Sequence, residues 1–403
     1  MKKKILYSGY VVSQSEAEQL SGASIAGNKM QLNLLTELHK KADLQVFTIY
    51  PVATFGKDKR IFYRKQENFL FTSQNYMRVG FINFPIIKQI TQMGMLFKEI
   101  RNSVKNNPDI ILFSYNAYPQ TFIPLLVAQI FYKNKLFVLL ADLPLDDKVR
   151  RSKLSRLAKK TYDRITEYCI RHIQYAVVLN KNVVKQYKLK IPYLVMEGGV
   201  NLEDIKLKKE SVKEKNIVYT GALTDYSGVL LAVNAMEFVK DKSIKLDIYG
   251  SGELETQIKK IAYKNKNIRF HGKKENKEIM EIQRRAWLLI NPRKINDPIS
   301  KVTFPSKIFE YMLSGRPVLS TRLNGFTEEY EDKIIWIENE EPHYLADLIE
   351  KLGKDEERLN KLGKRAQDFV VNQKNWTIQS EKIWNFIKAH SCEETSYGES
   401  TIN

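Results

Sequence analysis

Short apolar runs alternate with helical stretches along most of this 403-residue chain. Glycine, proline or polar turn residues bound each run, which is typical of buried strands in parallel sheets. We expect strands at KKILYSGYVV, LQVFTIYPV, DIILFSYN, KLFVLLADLP, AVVLN, YLVMEGGVN, NIVYTGAL, KLDIYGSG, NIRFHG, AWLLINPR, RPVLST and KIIWIE. We expect helices near residues 28–40, 87–104, 149–171, 228–240, 252–264, 275–285, 305–314, 342–352, 355–373 and 375–389. This alternation predicts an α/β protein with two doubly wound parallel sheets.

The charged segment at 202–216 separates the two series of strands and indicates a linker. Length alone also favours two or more domains. We expect one Rossmann-like domain over 1–205 and a second over 206–375, with a final helix at 376–390 packing back on the first and a flexible tail at 391–403. Parallel sheets bind ligands at the carboxyl ends of their strands, so a cleft between the domains is the expected site.

Composition excludes several classes of protein. The chain is 43% hydrophobic and 28% charged, which favours a globular fold over disorder. Its two cysteines, Cys169 and Cys392, provide neither a disulfide framework nor a cysteine zinc site and suit a reducing compartment. The start, MKKKILYSGYVV, is interpreted as a strand because polar residues break its apolar run. The apolar run at 121–132 is shorter than the roughly 20 residues that span a bilayer. We therefore expect a cytoplasmic protein.

Positive charge is concentrated in the first half of the chain. Residues 1–200 hold 31 Lys and Arg against 14 Asp and Glu, a net charge of +17, whereas the remainder holds 34 against 32. Such an excess favours an anionic partner: a membrane surface, a polyanionic substrate or nucleic acid. Idle surface charge is the alternative. We expect no nucleic-acid partner, because no recognisable binding module accompanies the charge.

Residues 148–171 predict a basic amphipathic helix with nine Lys and Arg against two acids. Its apolar stripe is expected on the core, with the cations free for anionic lipid headgroups. The stripe comprises Leu154, Leu157, Ala158, Tyr162, Ile165, Tyr168 and Cys169. A second stretch, 81–105, mixes apolar and basic residues and is also suited to a membrane interface. Ordinary domain packing is the alternative for both.

Two strands of the second half end in glycine turns. NIVYTGALTDYSG contains Gly221 and Gly228 before a helix, an arrangement whose backbone amides can cradle a phosphate. LDIYGSGELE repeats the theme with Gly250 and Gly252. A tight turn with no ligand explains either stretch equally well.

The segment FPSKIFEYMLSGRPVL, at 304–319, has helical apolar spacing with a charged pair at its centre. Pro305 suits a first helical turn and Gly315 suits the left-handed residue past the end. Lys307 and Glu310 share a face, because residues three apart are neighbours on a helix. They either form a weak solvated ion pair or bind a ligand.

Taken in order, these motifs resemble one family. Gly221 with Gly228, then YGSG, FHG, INPR and PSKIFEYMLSGRPVL resemble the donor-binding domain of retaining glycosyltransferase family four over residues 216–330. The PSK-x-x-E-Y-M form is similar to the family's bacterial capsular and exopolysaccharide branch. SGASIAGNKMQLNLLTEL and EGGVN resemble motifs of its first domain. The resemblance implies the GT-B fold, two doubly wound Rossmann-like domains facing an interdomain cleft.

The resemblance also implies a role for each site residue. Glu310 would accept hydrogen bonds from the ribose hydroxyls of a nucleotide-sugar. Lys307 would offset the charge that grows on the leaving diphosphate, with Arg293 as a second cation. Arg293 is otherwise a surface residue beside Pro292. The implied donor site also contains Gly27, Gly221, Gly250, Gly252, Gly272, Pro305 and Ser306.

The implied reaction moves a hexosyl group to a lipid-linked or growing surface polysaccharide with retention of configuration, at the inner face of the cell membrane. The family is thought to use the donor phosphate as base, so no metal or other cofactor is expected. Asp142, at the end of a first-domain strand, would orient the acceptor hydroxyl or the reacting sugar; a helix-leading carboxylate is the alternative.

Three positions depart from the family pattern. Val302 stands where a first acid is often found, and Ala222 and Ser227 stand where the glycine turn often carries cations. These departures favour the alternative that the chain is a non-catalytic binding or partner subunit with the same fold.

Overall fold

The computed structural model describes residues 2–20, 22–71, 74–144, 153–203, 212 and 214–391. Within these residues the chain forms two compact units. Unit 1 comprises Met1–Val178, Gln186–Met196 and Thr377–Asn403, and unit 2 comprises Leu179–Lys185 and Glu197–Trp376. Most of the expected linker and the expected tail beyond Ser391 lie outside the described residues.

Every strand expected from the sequence is present, and four more lie between residues 62 and 82. The strands are β1 (Lys4–Gly9), β2 (Asp43–Ile49), β3 (Phe62–Tyr63), β4 (Gln66–Phe71), β5 (Gln74–Val79), β6 (Phe81–Ile82), β7 (Ile111–Tyr115), β8 (Leu136–Leu140), β9 (Tyr175–Val178), β10 (Tyr193–Val195), β11 (Asn216–Thr220), β12 (Lys245–Tyr249), β13 (Ile268–Gly272), β14 (Leu288–Asn291), β15 (Val318–Thr321) and β16 (Ile335–Ile337).

The helices follow the predicted pattern with a few additions. They are α1 (Gln14–Gln19), α2 (Ile25–His39), α3 (Ile87–Asn106), α4 (Pro119–Tyr132), α5 (Lys153–Arg171), α6 (Lys181–Gln186), α7 (Val229–Ala235), α8 (Glu255–Lys264), α9 (Asn276–Arg285), α10 (Pro298–Val302), α11 (Lys307–Leu313), α12 (Pro342–Leu352), α13 (Glu356–Gln373) and α14 (Trp376–Ser391). Among the described residues, none of these helices is both long and apolar enough to cross a membrane.

Unit 1 is built on an eight-stranded sheet of order β10-β9-β8-β7-β1-β2-β5-β4. All its pairs are parallel except the antiparallel edge pair of β4 and β5. Every residue of β7 and β8 is buried, as expected for strands covered on both faces. Helix α14 packs on this unit, where Phe386 lies edge-on to Phe137 with ring centroids 5.9 Å apart.

Unit 2 is built on a six-stranded, wholly parallel sheet of order β13-β12-β11-β14-β15-β16. Its first strand, β11, lies between β12 and β14, so the strand order reverses there. The unit has two hydrophobic clusters, one on each face of the sheet. Helices α7 and α12 belong to the first cluster, and helices α11 and α13 belong to the second. A reversal of strand order leaves a crevice at the carboxyl ends of the strands, which is the usual ligand position in such sheets.

Residues 121–132, for which the sequence pattern predicts no helix, form most of α4. This helix contains Pro124 and has apolar residues on all sides, so its hydrophobic pattern shows no 3.6-residue period. Strands β3 and β6 were missed because each is only two residues long.

Helix α5 is present, and its predicted apolar stripe faces the core only in part. Cys169 is buried and Tyr162 is half-buried. The other described members of the stripe, which include Leu157, Ile165 and Tyr168, are exposed. Thr166 and Ile170 are buried beside Cys169, so the buried side is shifted around the helix from the predicted stripe. The residues before Lys153 lie outside the described part of the chain, as does the side chain of Leu154.

Candidate functional site

The carboxyl ends of β11 and β14 bring two loops together in unit 2. Gly228, in the loop after β11, has φ of 67°, and a Cβ added to it would lie 1.8 Å from the carbonyl oxygen of Pro292, just after β14. Only glycine allows this approach, because it combines positive φ with the absence of a side chain. The two loops are therefore joined through their backbones at the point where the strand order reverses.

The glycine turn after β12 closes on the same edge of the sheet. Gly250 has φ of 149°, and its Cβ would lie 1.8 Å from the carbonyl oxygen of Gly221. Gly252 has φ of 158°, and its Cβ would lie 2.5 Å from the carbonyl oxygen of Leu223. The Gly221 N–H donates to the carbonyl of Tyr249 at 3.0 Å. These glycines thus have a packing role that operates with or without a ligand, and Gly272, at φ of 71°, ends β13 nearby.

Helix α11 is anchored to the end of β11 by one buried tyrosine. The Tyr311 hydroxyl accepts a hydrogen bond from the Thr220 N–H at 2.9 Å and donates to the Thr220 carbonyl at 3.2 Å. Ile308 and Met312 are buried on the apolar side that the sequence predicted. Since Glu310 precedes Tyr311, its backbone is held within one residue of an anchor to the carboxyl end of β11.

The predicted position of Pro305 in the first turn of this helix is wrong. Helix α11 begins at Lys307, two residues later, and Ser306 occupies the N-cap without a side-chain hydrogen bond to the helix. Pro305 lies in a preceding turn, where its carbonyl accepts from the Ile308 N–H at 2.9 Å. The predicted left-handed residue past the helix is confirmed, because Gly315 has φ of 73°.

Lys307 and Glu310 form an ion pair, with 2.7 Å between Nζ and Oε2. Their side chains are 33% and 35% exposed, so both charges remain open to solvent. A pair at this exposure contributes about 0–1 kcal/mol. The solvated-pair interpretation therefore describes the ligand-free geometry, and such a weak pair separates readily when a ligand offers either partner a stronger bond.

Arg293, directly after β14, is half-buried and is not the surface arginine of the alternative interpretation. Its Nη1 donates to the Thr303 hydroxyl at 3.1 Å, and its guanidinium carbon lies 5.2 Å from the centre of the Tyr226 ring. Burial lowers the pKa of Arg293, although the neighbouring tyrosines Tyr226 and Tyr219 act in the opposite direction. The side chain is therefore a positive charge held close to the meeting point of the two loops.

Local contacts occupy the three positions that depart from the family pattern. The Ala222 carbonyl accepts from the Tyr219 hydroxyl at 2.7 Å, and the Ser227 hydroxyl donates to the Thr224 carbonyl at 2.6 Å. Val302 is buried at the end of α10. Among the residues predicted for the donor site, Lys307 and Arg293 are thus the cations at this edge of unit 2. In the described part of the chain, no group of three or more His, Cys, Asp or Glu is placed to hold a metal ion.

A separate cavity of about 300 Å³ lies in unit 1 at the carboxyl ends of β1, β7 and β8. Its wall is rich in aromatic rings and side-chain amides. The lining includes Tyr10, Tyr50, Tyr115, Tyr118 and Tyr162 together with Asn28, Gln31, Gln89, Gln92 and Gln120. Flat rings and neutral donors and acceptors of this kind suit a polyhydroxylated ligand with apolar C–H faces.

Asp142 is an exposed carboxylate on the wall of this cavity, directly after β8. Its Oδ2 accepts hydrogen bonds from Asn116 Nδ2 at 3.2 Å and from the Tyr118 hydroxyl at 3.0 Å. The Asp142 N–H donates to Asn116 Oδ1 at 2.9 Å. Burial and the charge of Asp142 raise the pKa of Tyr118, so its hydroxyl stays protonated and donates. These contacts hold the Asp142 carboxylate in place, and none of them is with the N-terminus of a helix.

Gly27 lies in the first turn of α2 on the same cavity. Its N–H donates to the Ser24 hydroxyl at 3.2 Å, and a Cβ there would lie 3.0 Å from the Tyr115 hydroxyl. The structure therefore places Gly27 and Asp142 together in unit 1, and places Gly221, Gly250, Gly252, Arg293, Lys307 and Glu310 in unit 2.

Two polar groups of α3 that the sequence did not predict as site residues also line this cavity. Lys88 is buried and donates to the Val52 carbonyl at 2.6 Å, and burial lowers its pKa. Gln89 lines the cavity with a buried Oε1 that has no hydrogen-bond partner among the described residues. Each stands in a sequence context of apolar neighbours, FPIIKQI, which gave no signal of a polar site.

Comparison with known families adds to this geometry. Residues 202–369 match the family model of glycosyl transferases group 1. The match includes the whole stretch, 216–330, on which the sequence resemblance rested, and nearly all of unit 2. No curated protein sequence matches the chain significantly.

Solved structures match nearly the whole chain in fold. HepE from Anabaena in complex with UDP has a TM-score of 0.65 and 13% identity, covering 96% of this chain and 100% of that chain. Sucrose-phosphate synthase from Thermosynechococcus elongatus has a TM-score of 0.65 and 13% identity, covering 96% and 98%. A glycosyltransferase from Rickettsia africae has a TM-score of 0.64 and 16% identity, covering 96% and 98%. The chain therefore has the GT-B fold of glycosyltransferases, and at these identities the likeness concerns the fold.

Proposed function

We propose that this protein is a retaining hexosyltransferase of the EC 2.4 class. It moves a sugar from a nucleotide-sugar donor to a lipid-linked or growing surface glycan, as in capsule or exopolysaccharide biosynthesis. The observation that carries the proposal is the carboxyl edge of the unit 2 sheet, where Arg293 follows β14 beside the loops that meet at Gly228, and where α11, which carries Lys307 and Glu310, is anchored to the end of β11. This edge lies within the segment that matches glycosyl transferases group 1.

The donor proposal assigns Glu310 to the ribose and Lys307 to the diphosphate. A carboxylate offers only acceptors, which matches two adjacent hydroxyl donors. Lys307 leaves Glu310 and binds the diphosphate, which costs little because their ion pair is half-exposed. The ammonium then offsets the negative charge that grows on the leaving diphosphate as the glycosidic bond breaks.

Uridine is the base that we would test first. HepE, which shares the fold, has been solved with UDP and with UDP-glucose. In this proposal the donor's own phosphate takes the proton from the acceptor hydroxyl, and no metal takes part.

The acceptor proposal assigns the unit 1 cavity to a sugar ring. Aromatic side chains such as Tyr10 and Tyr50 would cover its C–H face, and amides would bond its hydroxyls. Asp142, fixed by Asn116 and Tyr118, would orient the hydroxyl that attacks.

Peripheral binding to an anionic membrane, at the cytoplasmic face, completes the proposal. Helix α5 exposes Leu157, Ile165 and Tyr168 together with cations such as Arg156 and Lys160. A helix that presents apolar and cationic side chains to solvent suits an interface with anionic lipid headgroups.

A second candidate function is a non-catalytic partner subunit of a polysaccharide assembly complex. The observation that favours it is that the positions of the family's missing acid and cations, Val302, Ala222 and Ser227, are filled by local packing and hydrogen bonds. Such a subunit would bind without turnover.

The test is thermal unfolding with UDP, GDP, ADP, TDP and their sugar conjugates. A ligand that binds only the native state stabilises it by about 2.7 kcal/mol at about a hundredfold excess over Kd. We expect a rise in Tm with one base, lost in Glu310→Ala. The control is Glu278→Ala, which removes another half-exposed glutamate from a lysine pair in unit 2 and should keep the rise.

Absence of a shift with every nucleotide would contradict the donor site. A shift without release of nucleoside diphosphate from the bound nucleotide-sugar, in the presence of membranes from the cells that make the protein, would favour the partner subunit.

A further inference from the structure

A cluster of large apolar side chains stands exposed on unit 1, away from its core. We define the apolar tip as residues 53–62 and 82–90, the two segments that carry these side chains. The cluster comprises Phe55, Ile61, Phe62, Phe84, Ile86, Ile87 and Ile90. Phe62 is 68% exposed, Ile86 78% and Ile90 60%. Exposed apolar patches on this scale mark interaction surfaces in soluble proteins.

Hydrogen bonds and a ring contact make the two segments one surface. Phe62 of β3 pairs with Ile82 of β6, and the Asn83 N–H donates to the Ile61 carbonyl at 2.6 Å. The Asn83 side chain also donates to the Arg60 carbonyl at 3.0 Å. Phe55 and Phe84 have ring centroids 6.0 Å apart. The tip is thus an ordered surface with a buried asparagine at its base.

The backbone at Ile86 holds its side chain outward. Ile86 has φ of 67°, which is unfavourable for a β-branched residue, and it precedes the first residue of α3. Few buried contacts compensate for this strain, because most of the side chain is exposed. Strain that local packing does not explain is common where a residue contacts a partner.

Positive charge accompanies the first segment of the tip in the sequence. Residues 55–65 hold five Lys and Arg, Lys57, Lys59, Arg60, Arg64 and Lys65, against a single acid, Asp58. Exposed apolar side chains with exposed cations beside them in the chain complement a bilayer surface, where acyl chains lie beneath anionic headgroups.

We propose that the apolar tip inserts into the headgroup and upper acyl region of a membrane that contains anionic lipid. The occupant is the lipid bilayer itself, and this contact is additional to the one assigned to α5. The inference rests on the proposed function only for its purpose, because insertion of the tip would hold the protein beside a lipid-linked acceptor in the bilayer. The first turn of α3 connects the apolar tip with the unit 1 cavity. Lys88 and Gln89 line the cavity, and Ile86, Ile87 and Ile90 form part of the tip.

The test is flotation of the full-length protein with vesicles of phosphatidylcholine, with and without phosphatidylglycerol. The variant Phe62→Ser/Ile86→Ser/Ile90→Ser should lose at least about tenfold in partition coefficient. The matched control is Ile130→Ser/Phe131→Ser, which removes side chains of similar exposure from the end of α4 and should stay within about twofold of wild type. Neither variant should shift the Tm, because the substituted side chains are exposed.

A second measurement does not depend on loss of binding. Tryptophan fluorescence of Phe62→Trp should be quenched by vesicles of brominated phosphatidylcholine and phosphatidylglycerol, and that of Phe131→Trp should not change beyond the background of the four natural tryptophans.

Unchanged flotation of the triple variant, or a Phe62→Trp signal that brominated lipid does not alter, would overturn the proposal. Loss of self-association or of a protein contact without loss of vesicle binding would do so as well, and would assign the tip to a protein partner. Nucleotide stabilisation should be the same in wild type and the triple variant. A protein that binds vesicles through the tip but binds no nucleotide would disprove the proposed function and leave this inference standing.

Discussion

At the scale of the residue, unit 2 contains a buried ion pair that lies outside the loops of the candidate site. Lys374 Nζ lies 2.5 Å from Glu197 Oε2, and both side chains are about 5% exposed. The Tyr330 hydroxyl donates to the same carboxylate oxygen at 3.0 Å. Lys374 also contacts Glu329 at 2.9 Å. Removal of one partner would leave a charge in a medium that cannot solvate it.

We predict that Lys374→Met lowers the free energy of unfolding of unit 2 by about 3–5 kcal/mol. Urea unfolding at neutral pH measures this change. The control is Lys361→Met, which breaks a pair with Glu357 in which both side chains are mostly exposed, and should cost less than about 1 kcal/mol. Equal losses of unfolding free energy for the two substitutions would show that burial does not increase the contribution of the Lys374 and Glu197 pair to stability.

The sequence marked Glu197 only as part of EGGVN and did not mark Lys374 at all. The two residues are 177 positions apart, so no local pattern relates them. By contrast, the Lys307 and Glu310 pair was found from the sequence because helical spacing alone makes residues three apart neighbours.

At the scale of the element, the turns at the ends of β11, β12 and β13 contain glycines with positive φ. Gly250 is the most demanding, since its Cβ would lie 1.8 Å from a carbonyl oxygen and its φ is 149°. Neither feature can be relieved by rotation of a side chain. We therefore expect the geometry of the whole carboxyl edge of unit 2 to respond to a substitution there.

We predict that Gly250→Ala destabilises the protein by about 1–3 kcal/mol from backbone strain alone and reduces the nucleotide-induced rise in Tm. Gly94→Ala is the matched control. Gly94 lies inside α3 with nothing within 4 Å of an added Cβ, so the substitution should stabilise by about 0.5–1 kcal/mol. Thermal unfolding measures both, and a neutral Gly250→Ala would refute the packing role of this glycine.

Helix α5 shows why an amphipathic pattern does not by itself tell which side is buried. Tyr162 donates to Gln120 at 2.9 Å, and Thr166 and Cys169 continue this buried side. Leu157, Ile165 and Tyr168 form another apolar row that stays exposed. Both rows satisfy helical spacing, so the sequence pattern alone predicts one stripe where the structure has two rows.

At the scale of the whole molecule, the charge is uneven and its excess lies in residues 1–200. Exposed charge attracts anionic surfaces over about one Debye length, about 10 Å at 0.1 M salt. The electrostatic part of vesicle binding should therefore depend on salt, whereas the apolar part should not.

We predict that partition onto phosphatidylglycerol vesicles falls steeply between low and high salt, and that Arg156→Glu/Lys160→Glu/Arg164→Glu lowers it at low salt. Each cation near the surface contributes about 1 kcal/mol, or about fivefold in partition. The control is Lys260→Glu/Lys266→Glu/Lys277→Glu, which makes the same change of net charge on exposed residues of unit 2. If both triple variants lose equally, net charge matters and the position on α5 does not.

Local patterns in the sequence were sufficient to predict most of the strands and helices and two doubly wound parallel sheets, and the resemblance of the motifs to a known family predicted the GT-B fold. The sequence also marked the glycine turns and the pair on α11. These features are local, because strand length, turn chemistry and helical spacing depend on residues close in the chain. Three features could not be predicted from the sequence: the buried face of α5, the single apolar surface formed by segments 53–62 and 82–90, and the position of Lys88 and Gln89 on the wall of a cavity. Each of these depends on contacts between distant segments, whose free energy is settled when the sheets and helices pack together.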